Sequence, residues 1–192
     1  MGERSVTHRN SEMSNYRRAF LKGGTFFFTV VTYMRYPIFD EETSVRLLGN
    51  CFKSIMKTHP FRIDAIVIMP DHLHTIWTLP DEDSDFSTRW KQIKGTFSRH
   101  YSGNKSRDIT GSIISKSEKG IWQRRFWEHV IRNQEDFNKH CDYIHYNPVK
   151  HGLVNSPLEW KLSSFRKFVE KRLYQSDWGK EVGKDLIEMD LE

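Results

Sequence analysis

The period of the apolar positions changes repeatedly along this chain, and each change marks an element. Thr25 to Tyr33 is β-branched and aromatic almost throughout, which predicts a central strand. From Glu41 to Thr58 the residues Val45, Leu48, Phe52, Ile55 and Met56 recur at helical spacing, and Pro60 stops that helix. Two more strands are predicted over 62–69 and 73–79, joined tightly and antiparallel through Pro70-Asp71. Ser87 is the expected cap of a helix running to Tyr101, with Trp90, Ile93, Phe97 and Tyr101 on its apolar stripe. Its opposite face carries Arg89, Lys91, Lys94 and Arg99, the pattern of a solvated cationic face. Trp122 to Arg132 predicts a fourth strand, and Gln134 to Tyr146 a helix ending at Asn147, before Pro148. A last helix is expected over 160–174.

The order strand, helix, strand, strand, helix, strand, helix predicts an α+β, ferredoxin-like domain. Its antiparallel sheet would have four to five strands, with helices mainly on one face. Residues 1–14 are polar and aperiodic, as in a disordered arm; 15–178 make the single domain, and 179–192 a loose charged tail. Residues 102–120, rich in Ser, Gly and Lys, form the longest expected loop. There is no internal repeat.

Composition narrows the class. Aromatic residues reach 14% and hydrophobic residues 37% of 192, enough for a real core. A net charge of +5 among these aromatics suits nucleic acid, because cations neutralise phosphates and rings stack on bases. Cys51 and Cys141 are too few for a disulfide framework or a zinc cage, which points to a reducing cytoplasm. No apolar run approaches membrane-spanning length, and a soluble protein is expected.

Two stretches carry candidate chemistry. On a strand from Leu73 to Leu79, His72, His74 and Ile76 share one face, so two imidazoles stand side by side. Such a pair can hold a metal ion or polarise a phosphate. On the later helix Asp136, His140, Tyr143 and Asn147 share a polar face, beside the apolar stripe of Phe137, Cys141 and Ile144. A tyrosine oxygen can attack a phosphodiester and keep its energy in a phosphotyrosine bond, while a metal neutralises the developing charge. Tyr146, about 60° away around the helix, is a rival nucleophile. His129 and His140 could contact phosphate or simply sit in polar surface, and neither is a first-rank candidate. Arg124 and Arg125, interleaved with Trp122, Phe126 and Trp127, form a candidate surface for phosphates and bases.

His72-Leu73-His74, followed far along by Tyr143-Ile144-His145-Tyr146-Asn147, resembles the HUH single-strand nucleases with one catalytic tyrosine. More narrowly, residues 16 to 178 resemble the REP-associated tyrosine transposases, relatives of the bacterial single-strand insertion-sequence transposases. The likeness includes Lys22 to Val30, Met69 to His74, Trp122 to His129, and Asp142 through Gly152. It implies Tyr143 as nucleophile, His72, His74 and Asn147 as ligands, and Mg2+ or Mn2+ as the metal. Asn147 departs from the glutamine of the insertion-sequence relatives. The resemblance also implies cleavage of single-stranded DNA beside palindromic REP hairpins, leaving a 5′-phosphotyrosine and a free 3′-OH. By analogy Arg17, Arg18, Lys22, Arg124, Arg125, Trp127 and Lys150 would contact DNA. The REP-associated branch implies a monomer, whereas insertion-sequence relatives are dimers with exchanged helices. The expected setting is the bacterial cytoplasm, on the nucleoid when DNA is bound. The alternative is a regulator that binds hairpin DNA or RNA without catalysis.

Overall fold

The computed structural model describes residues 21–103, 120–180 and 182–191. Strands β1 (Thr25–Val31), β2 (Arg62–Ile68), β3 (His72–Thr78) and β4 (Trp127–Val130) make one sheet in the order β2-β3-β1-β4. Every neighbouring pair is antiparallel. The main helices are α1 (Glu42–Thr58), α2 (Phe86–His100) and α3 (Gln134–Lys150), followed by the short α4 (Phe165–Glu170) and α5 (Lys184–Glu188). The fold is α+β with a four-stranded open sheet, the class expected from the order of elements.

Alternation along the central strands separates two layers. Phe26, Phe28, Val30, Leu73 and Trp77 face α1 and α2, where they meet Leu48, Phe52, Trp90 and Phe97. The Trp77 and Trp90 rings stack there at 4.2 Å. Phe27, Ala65, Val67 and Ile76 face the other way, against Cys141, Tyr143 and Ile144 of α3. The two crossover helices therefore lie on one face, and α3 adds a layer on the other. β1 and β3 are buried on both sides, which explains why β1 is apolar almost without alternation. The register pairs Thr29 with His74 and Val31 with His72. Both histidines consequently project to the α3 side.

Several boundaries differ from expectation, each for a physical reason. Asp85, not Ser87, caps α2, accepting from the Thr88 amide. Arg89 is not on a solvated face; it is 1% exposed and donates to the Asp85 and Pro60 carbonyls and the Asp83 carboxylate. It thereby ties the acidic loop to α2. The fourth strand keeps only four residues, because Trp122 turns into the core beside Phe39 and Phe97 and retains a single bridge to Thr32. α3 runs through Pro148 to Lys150. A proline that close to the C-terminus removes a single backbone donor, and the His151 amide still closes on the Asn147 carbonyl.

The expected last helix is confined to Phe165–Glu170. Before it, residues 160–164 lie along β2: Ile68 N donates to Leu162 O, and Ser164 N to Ile66 O. Trp160 Nε1 also donates to Ile68 O. A segment that covers a free sheet edge in this way cannot be helical as well. The tail is not loose: α5 and the residues after it pack on the α3 layer through Leu186, Met189 and Leu191. Among the described residues no helix is long and apolar enough to cross a membrane. The arm 1–14, Arg17, Arg18 and most of the 102–120 loop fall outside the described residues.

Candidate functional site

His72 and His74 end up buried together at the start of β3, their ring centroids 4.8 Å apart. The turn Pro70-Asp71 puts a carboxylate beside the first ring: Asp71 Oδ1 lies 2.6 Å from His72 Nδ1. Burial pushes the Asp71 carboxyl up, yet the His72 ring and the Arg35 guanidinium together hold it below the usual range. An ionised carboxylate only accepts, so His72 Nδ1 carries the proton. The second ring obeys the same accounting. Thr29 has one hydroxyl hydrogen and donates it to the Leu191 carbonyl at 2.6 Å. Its oxygen, 2.9 Å from His74 Nδ1, therefore accepts from that ring. Both rings thus hold Nδ1–H, which leaves Nε2 as the nitrogen able to ligate a metal, the tautomer that outer partners fix in histidine metal sites.

Burial, followed by the neighbouring charges of His72, His151, Lys150 and Arg35, lowers the His74 pKa well below 6.5. A neutral imidazole is the form that ligates.

Tyr143 comes to this pair from α3. Its ring lies 5.1 Å from that of His74 and 6.1 Å from that of Phe27, and Lys150 Nζ sits 5.1 Å above it. Asn147, one helical turn further, is fully buried on the same side of α3. Tyr146 diverges toward Trp178, 6.5 Å away between ring centroids. His151, just beyond α3, brings an exposed ring to 5.5 Å from His72. His145 faces the opposite side of α3, among Phe165, Phe168 and Tyr174, and bonds to the Ser164 hydroxyl at 2.9 Å.

The end of the chain lies over the tyrosine. Leu191 N reaches the Tyr143 hydroxyl at 3.4 Å, and Lys150 Nζ donates to the Met189 carbonyl at 2.6 Å. With Thr29 also committed to Leu191, the last residues form a backbone strap across the pair and leave Tyr143 1% exposed. Charge patterning in the tail could not reveal this, because the strap is held through main-chain atoms. Thr29 was likewise invisible as a site residue: only its register opposite His74 gives it a role.

The candidate DNA contacts are dispersed. Lys22 pairs with Glu82 at 2.8 Å on the surface, away from the histidines. Arg124 and Arg125 are exposed ahead of β4, and Trp127, 39% exposed, packs its edge on Phe27 from the α3 side. On the opposite layer α2 and residues 120–126 line an open pocket of about 620 Å³ whose lining includes Lys91, Lys94, Arg99, Arg124 and Trp122. Among the described residues no acidic side chain lines it.

The family described as "Transposase IS200 like" matches residues 14–147, a span that takes in all four strands and α3 as far as Asn147. The REP-associated tyrosine transposase of Escherichia coli (strain K12) is 43% identical over 170 residues, covering 88% of this chain and 93% of that protein. A Haemophilus influenzae protein provisionally described in the same terms is 41% identical over 167 residues, covering 87% and 94%. A solved structure of a REP-associated tyrosine transposase bound to a REP hairpin superposes with a TM-score of 0.73 at 41% identity, covering 89% of this chain and 94% of that one. The fold and these matches define an IS200-like transposase. Within that class, the chain belongs to the REP-associated tyrosine transposases.

Proposed function

We propose that this protein binds REP-type hairpins and cuts and rejoins single-stranded DNA beside them through Tyr143. The observation that carries the reading is the approach of the Tyr143 ring to within 5.1 Å of His74, on the face to which both histidines project. His72 and His74 would hold Mg2+ or Mn2+ through Nε2, with the buried Asn147 as an oxygen ligand. The metal would supply a Lewis acid that neutralises charge on the phosphate and orients it. Asp71 and Thr29 fix the two rings. Tyr143 Oη, having lost its proton, attacks the phosphorus; the bond to the 3′ oxygen breaks, and that oxygen leaves with a proton as a 3′-OH. The 5′ side remains as a phosphotyrosine, and the reverse attack rejoins the strand. Lys150, whose Nζ lies 5.1 Å over the Tyr143 ring, would favour the ionised phenolate through its nearby positive charge. Hairpin binding follows the relative whose structure holds a REP hairpin, and Arg124, Arg125 and Trp127 offer exposed cations and a ring for it.

The test incubates the protein and DNA carrying a REP-type hairpin with Mn2+ or Mg2+ and looks for a covalent adduct by denaturing electrophoresis. Tyr143→Phe should abolish the adduct and Tyr146→Phe should retain it. An adduct that survives Tyr143→Phe rules out the assignment. Hairpin binding with no adduct, even after removal of residues 182–192, would leave the non-catalytic regulator.

A further inference from the structure

A second set of ligating side chains converges where β4 meets α3. β4 supplies His129; α3 supplies Asp136 from its first turn and His140 from the next. His129 Nε2 lies 2.9 Å from Asp136 Oδ2, and His140 Nδ1 lies 3.0 Å from Asp136 Oδ1. One ligand atom from each of the three residues falls within 4.8 Å of the others, the one such trio among the described residues. The imidazoles stack at 4.6 Å with 15° between their planes. Trp127 lies parallel to His129 on the outer side, and Phe27 backs His140 at 4.8 Å on the inner.

Hydrogen bonding at the helix start explains part of this. Asn133 accepts from the Asp136 amide, and Asp136 accepts from the Arg132 amide at 2.9 Å, a reciprocal cap. A cap accounts for the carboxylate but needs no imidazole. Two histidines from different elements aimed at one carboxylate are the donor set of a two-histidine, one-carboxylate metal site. The protonation states also suit one. Burial pushes the Asp136 carboxyl up, but the hydrogen bonds from His129 and the Arg132 amide overcome it and hold the group below the usual range. Burial likewise lowers His140, against the opposing pull of the Asp136 carbonyl. The result is an ionised carboxylate beside a neutral ring.

We propose that His129, Asp136 and His140 bind a divalent first-row transition ion of the Zn2+, Co2+ or Mn2+ class. Nδ1 of His140 now faces the Asp136 carbonyl at 2.8 Å as well. On binding, its proton shifts to Nε2, and the ring stays neutral while Nδ1 ligates. Three protein ligands leave positions for water or a phosphate oxygen. Because the ion would join β4 to the start of α3, binding would stabilise the fold. The Phe27 ring, 5.6 Å from His74 and 4.8 Å from His140, separates this trio from the His72–His74 pair.

The experiment titrates the full chain with Co2+, read by absorption, and with Zn2+, read by calorimetry. The parent protein is compared with His72→Ala/His74→Ala, with His129→Gln/Asp136→Asn, and with the combination of all four changes. The expected stoichiometries are two, one, one and none, with far-UV circular dichroism confirming folded protein. Should the Asp136 change unfold the chain, His129→Gln alone alters one half-buried side chain on an edge strand and should weaken one equivalent at least tenfold. Retention of every parental equivalent in the His129 variants overturns the proposal. One parental equivalent that disappears with His129 and Asp136 supports it and instead removes the metal from His72 and His74. One that disappears only with His72 and His74 does the opposite.

Discussion

At the scale of single residues, the site depends on where each hydrogen goes. Thr29 can donate once, and Leu191 takes that donation, so the Thr29 oxygen sets the His74 tautomer. Thr29→Val keeps the shape and removes the acceptor. It should weaken Mn2+ binding at the histidine pair by about 10–100-fold, the usual cost of losing such an outer partner, as measured by titration in a His129→Gln background. Arg89 is a residue whose sequence position misled: helical spacing put it among exposed cations, whereas the loop 81–85 folds back over it. Arg89→Met should cost about 2–3 kcal/mol in urea unfolding, since it strands two carbonyls and an aspartate. His145 gives a pH dependence. Burial lowers its pKa to about 3, so the unfolded chain takes up a proton near pH 6.5 that the folded chain refuses. Its contribution to stability is therefore complete above pH 6.5 and is lost as pH falls toward 3, at up to about 1.4 kcal/mol per pH unit. Equilibrium unfolding between pH 7 and pH 4 should show a slope that His145→Gln reduces by about one proton.

At the scale of elements, the tail and α3 form a closed pair. α3 carries Tyr143 and Lys150, and the strap from Met189 to Leu191 uses its own backbone to engage both. No phosphate can reach Tyr143 Oη while the strap is seated. Chains ending at Lys180 should therefore show faster nitration of Tyr143 by tetranitromethane and several times more DNA adduct than the full chain. Equal rates in mass-spectrometric and gel assays would show that the strap presents no barrier. A second pairing covers the outer edge of β2, where residues 160–164 take up backbone groups that an open sheet would expose.

At the scale of the whole molecule, the sheet separates two environments. Tyr143, the histidine pair and the tail share one layer; α1, α2 and the cation-lined pocket share the other. Trp127 and Phe126, successive residues at the start of β4, reach the two layers in turn. β4 is an edge strand, so a nucleic acid could span both layers across it. Affinity for a hairpin with single-stranded flanks should fall steeply with salt, and Arg124→Ala/Arg125→Ala should flatten the slope by about 0.7 for each phosphate left without its cation. Fluorescence anisotropy between low and moderate salt would read it.

The amino-acid sequence alone determined the number and order of the major elements, because apolar period is a local property of the chain. It also determined that His72 and His74 share a strand face, and that Tyr143 and Asn147 share a helix face, since both follow from fixed backbone repeats. Only the tertiary structure decided that those two faces meet. It alone buried Arg89, turned Trp122 out of the sheet, carried α3 past Pro148 and laid the tail across Tyr143. Each of those outcomes depends on backbone or side-chain partners far away in the chain, and no local period records such partners.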